Sequence, residues 1–568
     1  MTPAPVKGDK KRSLASVSEL GAEPAAAAAP EQALKKHRAQ SKKIKTRKYK
    51  AKRADATSPA GVLEHEIKSL CQEQGIALEE IENDIKGVLN DSVVEQKYHR
   101  IVTDVKILQF LSNGDSLAII EAPKGSGKQL VVVPYGIPGD ITTIKVFRTH
   151  PFYAEADLIS VQTGSNLRDD ALINCRYFGK CSGCQFQNIA YQDQLEIKRN
   201  TIQNAYKHFA PELMAEGAIP QISETQASPI AYHYRTKLTP HFNIPTKKTG
   251  ADLAHRPNFG FGAKGRPEWR QSDFGPVGSI LDIEECSIGT DIVNVGLKNE
   301  RHKLETSYRE YKRGATILLR EDSKIKTSDF ELGEGSRDEA GAVSTIEVTG
   351  VKDHDQGEQF DVVKTCVTQP RQIVQEIIGN YRFEFSAGEF FQNNNAILPL
   401  VTAYVKQNLP SSSQPNYLVD AYCGSGLFSI MCSESVTSVI GVEVSADSVK
   451  FAQRNAELNQ VPNAKFIVGK AEEIFKDIVT PSEQTSVILD PPRKGCDDVF
   501  LNQLSEYQPA RIVYISCNVH SQARDIEWFL KHTANGAKYL VVSVKGFDFF
   551  PQTHHVESVA ILSKVEEA

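Results

Sequence analysis

The residues best suited to chemistry follow or open strand-like hydrophobic runs near the end of the chain. VYISCN ends such a run on the thiol of Cys517, ILDPPRKG ends another on Asp490, and PQTHHVESVAIL places Glu557 at the start of the last run. The carboxyl ends of parallel strands meet at one edge of an open sheet, where ligands bind. We therefore expect Cys517 and Asp490 to be neighbours, with Glu557, His554 and His555 near the same crevice.

A glycine turn precedes these residues. DAYCGSG follows the first strand-like run, and Gly424 and Gly426 let backbone N–H groups approach a ligand at a helix N-terminus. GVE ends the second run on Glu443, whose carboxylate can accept hydrogen bonds from both hydroxyls of a ribose. The sequence shows no third glycine at the dinucleotide spacing and no phosphate-binding lysine after the loop. A nucleoside without phosphates, such as S-adenosylmethionine, is therefore favoured over NAD or ATP.

A methyl donor, a thiolate and a carboxylate can together methylate carbon 5 of a pyrimidine. Addition of the thiolate to carbon 6 makes carbon 5 nucleophilic, and a base must then remove the carbon 5 hydrogen before the thiol leaves. Cys517 fits the role of nucleophile and Glu557 that of base, while Asp490 is placed to hold the ring edge or the ligand. The alternative for Cys517 is a buried, inert structural cysteine.

The elements that must position these residues form a regular series. The runs YLVDA, SVIGVE, KFIVG, SVILD and RIVYISC are separated by helix-length stretches, which predicts a parallel sheet with helices on both faces. The last two runs, KYLVVSV and VESVAIL, are close in sequence and are expected to pair as an antiparallel edge hairpin. The predicted fold class is α/β, with a Rossmann-like methyltransferase domain built on a seven-stranded mixed sheet at residues 380–568.

Four further regions precede that domain. Residues 1–60 carry fifteen Lys or Arg against five Asp or Glu, which predicts a disordered basic arm suited to nuclear import or to phosphate-backbone attraction, and less to an organelle transit peptide. Residues 61–95 have helical periodicity broken near Gly75, and residues 96–165 hold the short β-rich runs of an OB-like barrel. Residues 166–379 are expected to form a mixed α+β central domain with an acidic loop insertion at 321–360. Both an RNA-binding and a purely structural barrel remain open.

Cysteines suggest a second kind of site. The chain has ten, lacks a signal-peptide pattern at Met1 and has no apolar run of the roughly 20 residues needed to cross a bilayer. We therefore expect a protein of a reducing compartment that does not enter the membrane. Three thiols are closely spaced and a fourth follows about a hundred residues later, a set that suits zinc or a [4Fe–4S] cluster. They are Cys175, Cys181, Cys184 and Cys286.

Six motifs, in order, resemble those of the RNA uracil-5-methyltransferase family: FFQNN, DAYCGSG, GVE, ILDPPRKG, YISCN and FPQTHHVE. The resemblance is dense over residues 380–565. It implies that Cys517 is the nucleophile and Glu557 the proton acceptor, and it implies S-adenosylmethionine contacts at Gln392, Tyr422, Glu443 and Asp490. One position departs from the pattern, because members with an Asn just after the second glycine use it at the cofactor, whereas this chain has Leu427.

The resemblance also carries expectations about substrate and cofactors. It implies that the barrel is a TRAM domain, that the cysteine set is the iron–sulfur form, with Ser182 where Gly is usual, and that the product is 5-methyluridine. A loop uridine is favoured because the base must leave its stack. The basic arm favours tRNA, with its T-loop as the target, over ribosomal RNA. An RNA-binding or tRNA-folding factor with secondary methyltransferase activity is the alternative. No obligate protein partner is inferred, and the location expected is cytoplasmic or nuclear, with a mitochondrial pool possible.

Overall fold

The computed structural model describes residues 54–123, 127–245, 247–265, 280–352, 359–410, 415–470, 475 and 478–565. Residues 1–53 of the expected basic arm lie outside the described residues. Residues 54–60, at the end of that predicted arm, are structured: Asp55 accepts hydrogen bonds from Thr57, and Ser58 caps the first helix. These residues form a turn and a helix cap because Asp, Thr and Ser side chains accept hydrogen bonds from nearby backbone N–H groups.

Short helices lead into a closed barrel. They are α1 (Pro59–Glu73), α2 (Leu78–Ile81), α3 (Ile85–Asn90) and α4 (Ser92–Tyr98), and Gly75 breaks the first from the second with a left-handed φ of 63°. The barrel strands are β1 (Ile101–Phe110), β2 (Ser116–Glu121), β3 (Lys128–Val133), β4 (Ile141–Thr149) and β5 (Ala154–Thr163), in the order β1-β2-β3-β5-β4. The expected helices and the five-stranded barrel are confirmed.

The central region mixes helices with small sheets. Its elements are α5 (Tyr191–Phe209), α6 (Pro211–Ala215), β6 (Ser223–Gln226), β7 (Lys237–Leu238), β8 (His241–Phe242), α7 (Asp291–Ser307), β9 (Ala315–Thr316), β10 (Leu319–Ile325), β11 (Thr345–Lys352) and β12 (Gln359–Val367). The expectation of an acidic loop at 321–360 was wrong, because β10, β11 and β12 lie there in a sheet of order β11-β12-β10-β7. Apolar residues alternate with charged ones in this segment, as in Ile346, Glu347 and Val348, and that alternation suits a half-buried strand.

The C-terminal region is built on one large sheet. Its elements are β13 (Ile373–Ile378), β14 (Tyr381–Ser386), α8 (Leu398–Asn408), β15 (Tyr417–Asp420), α9 (Leu427–Met431), β16 (Ser438–Glu443), α10 (Ala446–Leu458), β17 (Ala464–Val468), β18 (Thr485–Leu489), α11 (Asp498–Tyr507), β19 (Arg511–Ser516), α12 (Val519–His532), β20 (Tyr539–Phe547) and β21 (Glu557–Lys564). The sheet has eight strands in the order β17-β16-β15-β18-β19-β21-β20-β6. The α/β fold with a mixed sheet is confirmed, and β6 of the central region adds an eighth strand beside β20.

Burial on both faces explains the hydrophobic runs of the central strands. Along β19, Ile512 and Tyr514 belong to the core cluster on one face, and Val513 and Ile515 belong to the cluster on the other. A strand between two helical layers needs apolar residues at every position. Within the described ranges, no helix is long and apolar enough to cross a membrane.

An ion pair without solvent contact joins the central region to the large sheet. Lys198 of α5 donates hydrogen bonds to the carboxylate of Asp548 and to the carbonyl of Phe550, and neither Lys198 nor Asp548 exposes any side-chain surface. Asp548 directly follows β20. The pair therefore anchors the start of the segment that leads from β20 to Glu557.

Replacing Lys198 with Met should destabilise the protein strongly, because it leaves the Asp548 carboxylate buried without its cation. The expected loss is roughly 3–5 kcal/mol, seen as a lower midpoint of thermal unfolding. Lys198→Met combined with Asp548→Leu removes both charges and should recover most of the loss. A double variant no more stable than the single one would contradict an electrostatic origin.

Candidate active site

Strand pairing brings Cys517 close to Glu557. β19 and β21 are antiparallel, and their last registered pair is Ser516 with Ser558. Cys517 directly follows β19 and Glu557 is the first residue of β21, so both lie at this end of the strand pair. The Glu557 charge acts on the Cys517 thiol. Two groups forty positions apart in the chain thus come close at the carboxyl end of β19.

The loop after β18 holds the thiol from a second side. Asn518, which caps α12, donates from Nδ2 to the carbonyl oxygen of Arg493 over 2.8 Å, and Ser521 donates from Oγ to the same oxygen over 3.1 Å. The Arg493 side chain lies near Cys517 and favours its thiolate. The Pro-Pro sequence of DPPRKG stiffens this loop, so that a basic side chain is fixed beside Cys517.

The electrostatics of the site are set by buried acids. Burial together with Glu557 and Asp490 raises the pKa of the Cys517 thiol to about 11, and Arg493 opposes that rise. Burial and the Asp490 charge raise the pKa of Glu557 to about 8. Burial raises the pKa of Asp490 to about 7, with Asp420 contributing. The N-terminus of α12 begins two residues after Cys517 and also favours the thiolate. The groups therefore hold their protons until a ligand or a rise in pH removes them.

A cavity of about 810 Å³ lies at the carboxyl ends of β15, β16 and β18. Glu443 is fixed at its wall, because its carboxylate accepts hydrogen bonds from the backbone N–H of Gly424 over 3.3 Å and of Ser445 over 2.9 Å. Each oxygen keeps lone pairs for a further donor. Gly424 has a φ of 54°, and a Cβ there would meet no atom within 4 Å, so the turn leaves open space for a ligand.

The other expected cofactor contacts also border this cavity, except for one glycine. Gln392, Tyr422, Asp490 and Leu427 line it. Gly426 does not, and its role is in packing: its φ is 92°, and a Cβ would lie 3.3 Å from the Cβ of Ala452 on α10. The donor set and the volume fit a nucleoside-type ligand such as S-adenosylmethionine. The residue roles themselves stay predictions.

A second cavity, of about 430 Å³, contains the thiol. Its wall includes Cys517, Arg493, His554 and His555, together with residues from Asp55 to Glu66. Thr57 accepts a hydrogen bond from Asn518 Nδ2 at its carbonyl over 3.2 Å. Sequence reasoning missed both Arg493 and this N-terminal contribution. The motif DPPRKG offered a signal for the arginine, whereas the residues before α1 carried none.

The four cysteines of the expected cluster line one further cavity of about 430 Å³. Their thiols interact electrostatically, and burial raises the pKa of Cys286 and of Cys181, the latter to about 12. The soft donor set fits a thiolate-bound metal. Among the described residues, however, no group of three or more His, Cys, Asp or Glu side chains is placed to hold a metal ion. The structure brings the thiols to one cavity without forming a ligand cage.

Comparison with known proteins decides the family. A model described as tRNA (Uracil-5-)-methyltransferase matches residues 354–565, and one described as TRAM domain matches residues 96–159. The tRNA (uracil(54)-C(5))-methyltransferase of Saccharomyces cerevisiae is 54% identical over 92% of this chain and 84% of its own. The chain belongs to the tRNA (uracil-5-)-methyltransferase family. The enzyme of the same name from Schizosaccharomyces pombe is 41% identical over 86% of this chain and 83% of its own.

Solved structures support the fold. The tRNA (uracil-54, C5)-methyltransferase of Pyrococcus abyssi, solved with S-adenosyl-L-homocysteine, matches with a TM-score of 0.53 at 21% identity, over 81% of this chain and all of that one. The expected family and the expected TRAM barrel are therefore both confirmed.

The environment of Cys517 predicts its reactivity with iodoacetamide. Because the thiol pKa is about 11, alkylation should be slow at pH 7 and rise roughly tenfold for each pH unit, as the thiolate fraction does below the pKa. Above pH 8, where Glu557 is ionised, Glu557→Gln removes a negative neighbour and should speed alkylation severalfold, whereas Arg493→Met should slow it. Mass spectrometry of the peptide containing Cys517 measures the rate. Equal rates in the three proteins would exclude the electrostatic arrangement.

Proposed function

We propose that this protein transfers a methyl group from S-adenosylmethionine to carbon 5 of a uridine in tRNA, through a covalent bond between Cys517 and carbon 6. The observation that carries the proposal is that the pairing of β19 and β21 brings Cys517 and Glu557 together beside Asp490, which lines the nucleoside-sized cavity. A thiol alone fits many reactions. A thiol close to a base fits addition followed by proton removal.

Cys517 acts first. Its thiol releases a proton to solvent, Arg493 and the N-terminus of α12 favour the thiolate, and the sulfur adds to carbon 6 of the ring. The addition places an electron pair on carbon 5, which can form a bond to the methyl of S-adenosylmethionine as the sulfonium S–C bond breaks and S-adenosylhomocysteine is released.

Glu557 acts second. Its pKa of about 8 is close to the physiological range, which suits a group that must both take up and release a proton. The carboxylate removes the hydrogen from carbon 5, the ring regains its double bond, and the sulfur leaves. Because Glu557 must be deprotonated to do so, this step is expected to gain rate as the pH rises toward 8.

The first cavity supplies the cofactor site of this proposal. Glu443 binds the ribose hydroxyls with the lone pairs that Gly424 and Ser445 leave free. Gln392, Tyr422 and Asp490 border the rest of the ligand. Leu427 leaves no amide side chain after the second glycine, so only backbone groups act at that position.

The choice of tRNA rests on relatives and on the barrel. The two yeast relatives are named tRNA (uracil(54)-C(5))-methyltransferases, and the TRAM model matches the barrel of this chain. A T-loop uridine is the proposed target, because extrusion of a base from a loop costs less than from a duplex. The basic arm is proposed to add phosphate attraction and to direct the protein to cytoplasm or nucleus, with a mitochondrial pool. An iron–sulfur cluster at the four cysteines stays a prediction, and no step depends on it.

Methylation assays separate the candidate substrates. The wild type should transfer methyl groups to unmodified tRNA, and mapping should place 5-methyluridine in the T-loop. Cys517→Ser should lower turnover by at least about 10³-fold, because a hydroxyl is far less nucleophilic than a thiolate. Cys71→Ala, which lies in α1, is the control. Methylation of ribosomal RNA alone would select that substrate class. Undiminished rescue of a deficient cell by Cys517→Ser would instead favour an RNA-binding or folding factor.

RNA that carries 5-fluorouridine at the target should trap the wild type, because fluorine cannot be removed as a proton after methyl transfer. The expected result is a covalent band that survives denaturing electrophoresis and disappears with Cys517→Ser. Glu557→Gln should accumulate the same band with ordinary uridine, since the base is missing. Normal product release by Glu557→Gln would exclude its role.

A further inference from the structure

Three distant parts of the chain meet at His554. Gly114, in the turn between β1 and β2 of the barrel, has a φ of 77°, and a Cβ there would lie 2.7 Å from the Cβ of His554 and 2.9 Å from Cγ of Gln185. Gln185 follows the last of the three closely spaced cysteines. Only a glycine fits at this point. The barrel is therefore in direct contact with the loop of Cys181, Cys184 and Gln185 (the cysteine loop) and with the segment between β20 and β21 that contains His554.

The amide of Gln185 has one allowed orientation. Its Nε2 donates to the carbonyl oxygens of Ser182 and Gly183, over 3.1 Å and 3.4 Å. Its Oε1 accepts from the backbone N–H of His554 over 3.2 Å. If the amide were flipped, its NH₂ group would face the backbone N–H of His554, and two donors would meet. Its oxygen would then face the carbonyls of Ser182 and Gly183, which can only accept. Gln185 therefore always presents an acceptor to His554.

That acceptor determines the tautomer of His554. The ring nitrogen Nδ1 lies 3.0 Å from Oε1 of Gln185, so Nδ1 must carry the hydrogen. Burial and the nearby charges of His555, Lys198, Lys264 and Arg493 lower the pKa of His554 to about 2, which keeps the ring neutral. Nε2 then holds a lone pair and no hydrogen. It can accept a hydrogen bond but cannot donate one.

His554 lines the cavity that contains Cys517, and the proposed chemistry leaves its ring unused. In a pyrimidine, N3 lies across the ring from carbon 6. A base whose carbon 6 touches the thiol therefore presents its N3 edge to the far side of the cavity. Uracil carries a hydrogen on N3, whereas cytosine has a lone pair there.

We propose that His554 accepts a hydrogen bond at Nε2 from the N3–H of the target uracil, and that Gln185 is the positioning residue that holds the ring in this tautomer. The inference rests on the proposed function for its substrate. Cytosine would bring the lone pair of its N3 against the lone pair of His554 Nε2. The loss of this one hydrogen bond should lower the rate of methylation of cytidine roughly 10- to 100-fold relative to uridine. The cysteine loop would thus act on base selection through Gln185.

The tautomer is tested first, without any RNA. The protein is labelled with ¹⁵N-histidine and studied by NMR, and the two ring-nitrogen resonances that disappear in His554→Phe are assigned to His554. They should show a hydrogen on Nδ1 and none on Nε2. Gln185→Leu should lose that preference, because nothing then holds the hydrogen on Nδ1. Gln187→Leu, in the same loop but without contact to His554, is the matched control and should keep it. A hydrogen on Nε2 in the wild type would overturn the proposal.

Base selection is tested next, with tRNA carrying either uridine or cytidine at the target. Gln185→Leu frees His554 to donate from Nε2, so the ratio of kcat/KM for cytidine over uridine should rise roughly tenfold, whereas Gln187→Leu should leave it unchanged. His554→Phe should lower activity on uridine more than on cytidine. An unchanged ratio in Gln185→Leu, or the same change in Gln187→Leu, would overturn the assignment. A wild type inactive on every RNA would instead refute the proposed function, and the tautomer result would still stand.

Discussion

The site depends on one register between two strands. Because β19 and β21 pair through Ser516 and Ser558, Cys517 and Glu557 lie at the same end of the two strands. A shift by a single residue would turn one of these side chains to the opposite face of the sheet. Five further pairs of buried or half-buried residues hold the same register along the strands. The hydrophobic core of the sheet therefore fixes the distance between a thiol and a carboxyl group that no local sequence preference could fix.

Burial raises the pKa values of the acids in the site, because it destabilises their charged forms. Three acids, Asp420, Asp490 and Glu557, have raised pKa values because the charged form is poorly solvated. Asp420 and Glu557 are buried, and Asp490 is half-buried at the wall of the first cavity. For Asp420, hydrogen bonds from the backbone N–H and the hydroxyl of Ser429 partly offset the rise in pKa that burial causes. Among the described residues, no hydrogen bond offsets the burial of Asp490 or of Glu557, and their pKa values are higher, about 7 and about 8. The two carboxyl groups without such donors are thus the ones that exchange protons near neutral pH.

The sequence predicted the fold and much of the site, and it failed where contacts are long-range. Alternating strand and helix runs, the glycine turn before α9 and a thiol after β19 follow from local patterns. The proximity of Cys517 and Glu557 depends on pairing between strands, and β6 joins the sheet from far upstream. The strands at 321–360 were missed because acidic composition concealed their alternation. Gln185 and Lys198 could not be found, since their partners lie more than 340 positions away.

The segment between β20 and β21 shows why the central region belongs to the active site. Gln552 in its middle is buried and has a φ of 70°, a conformation that non-glycine residues rarely adopt. Its carbonyl accepts from the N–H groups of Gln185 and Phe186. Its side-chain Oε1 accepts from Nε2 of Gln194 of α5, and its backbone N–H donates to Oε1 of the same glutamine. These contacts offset the strain and aim the following residues toward Cys517. The central region therefore holds the segment between β20 and β21 in place, beyond the end of the pairing between β19 and β21.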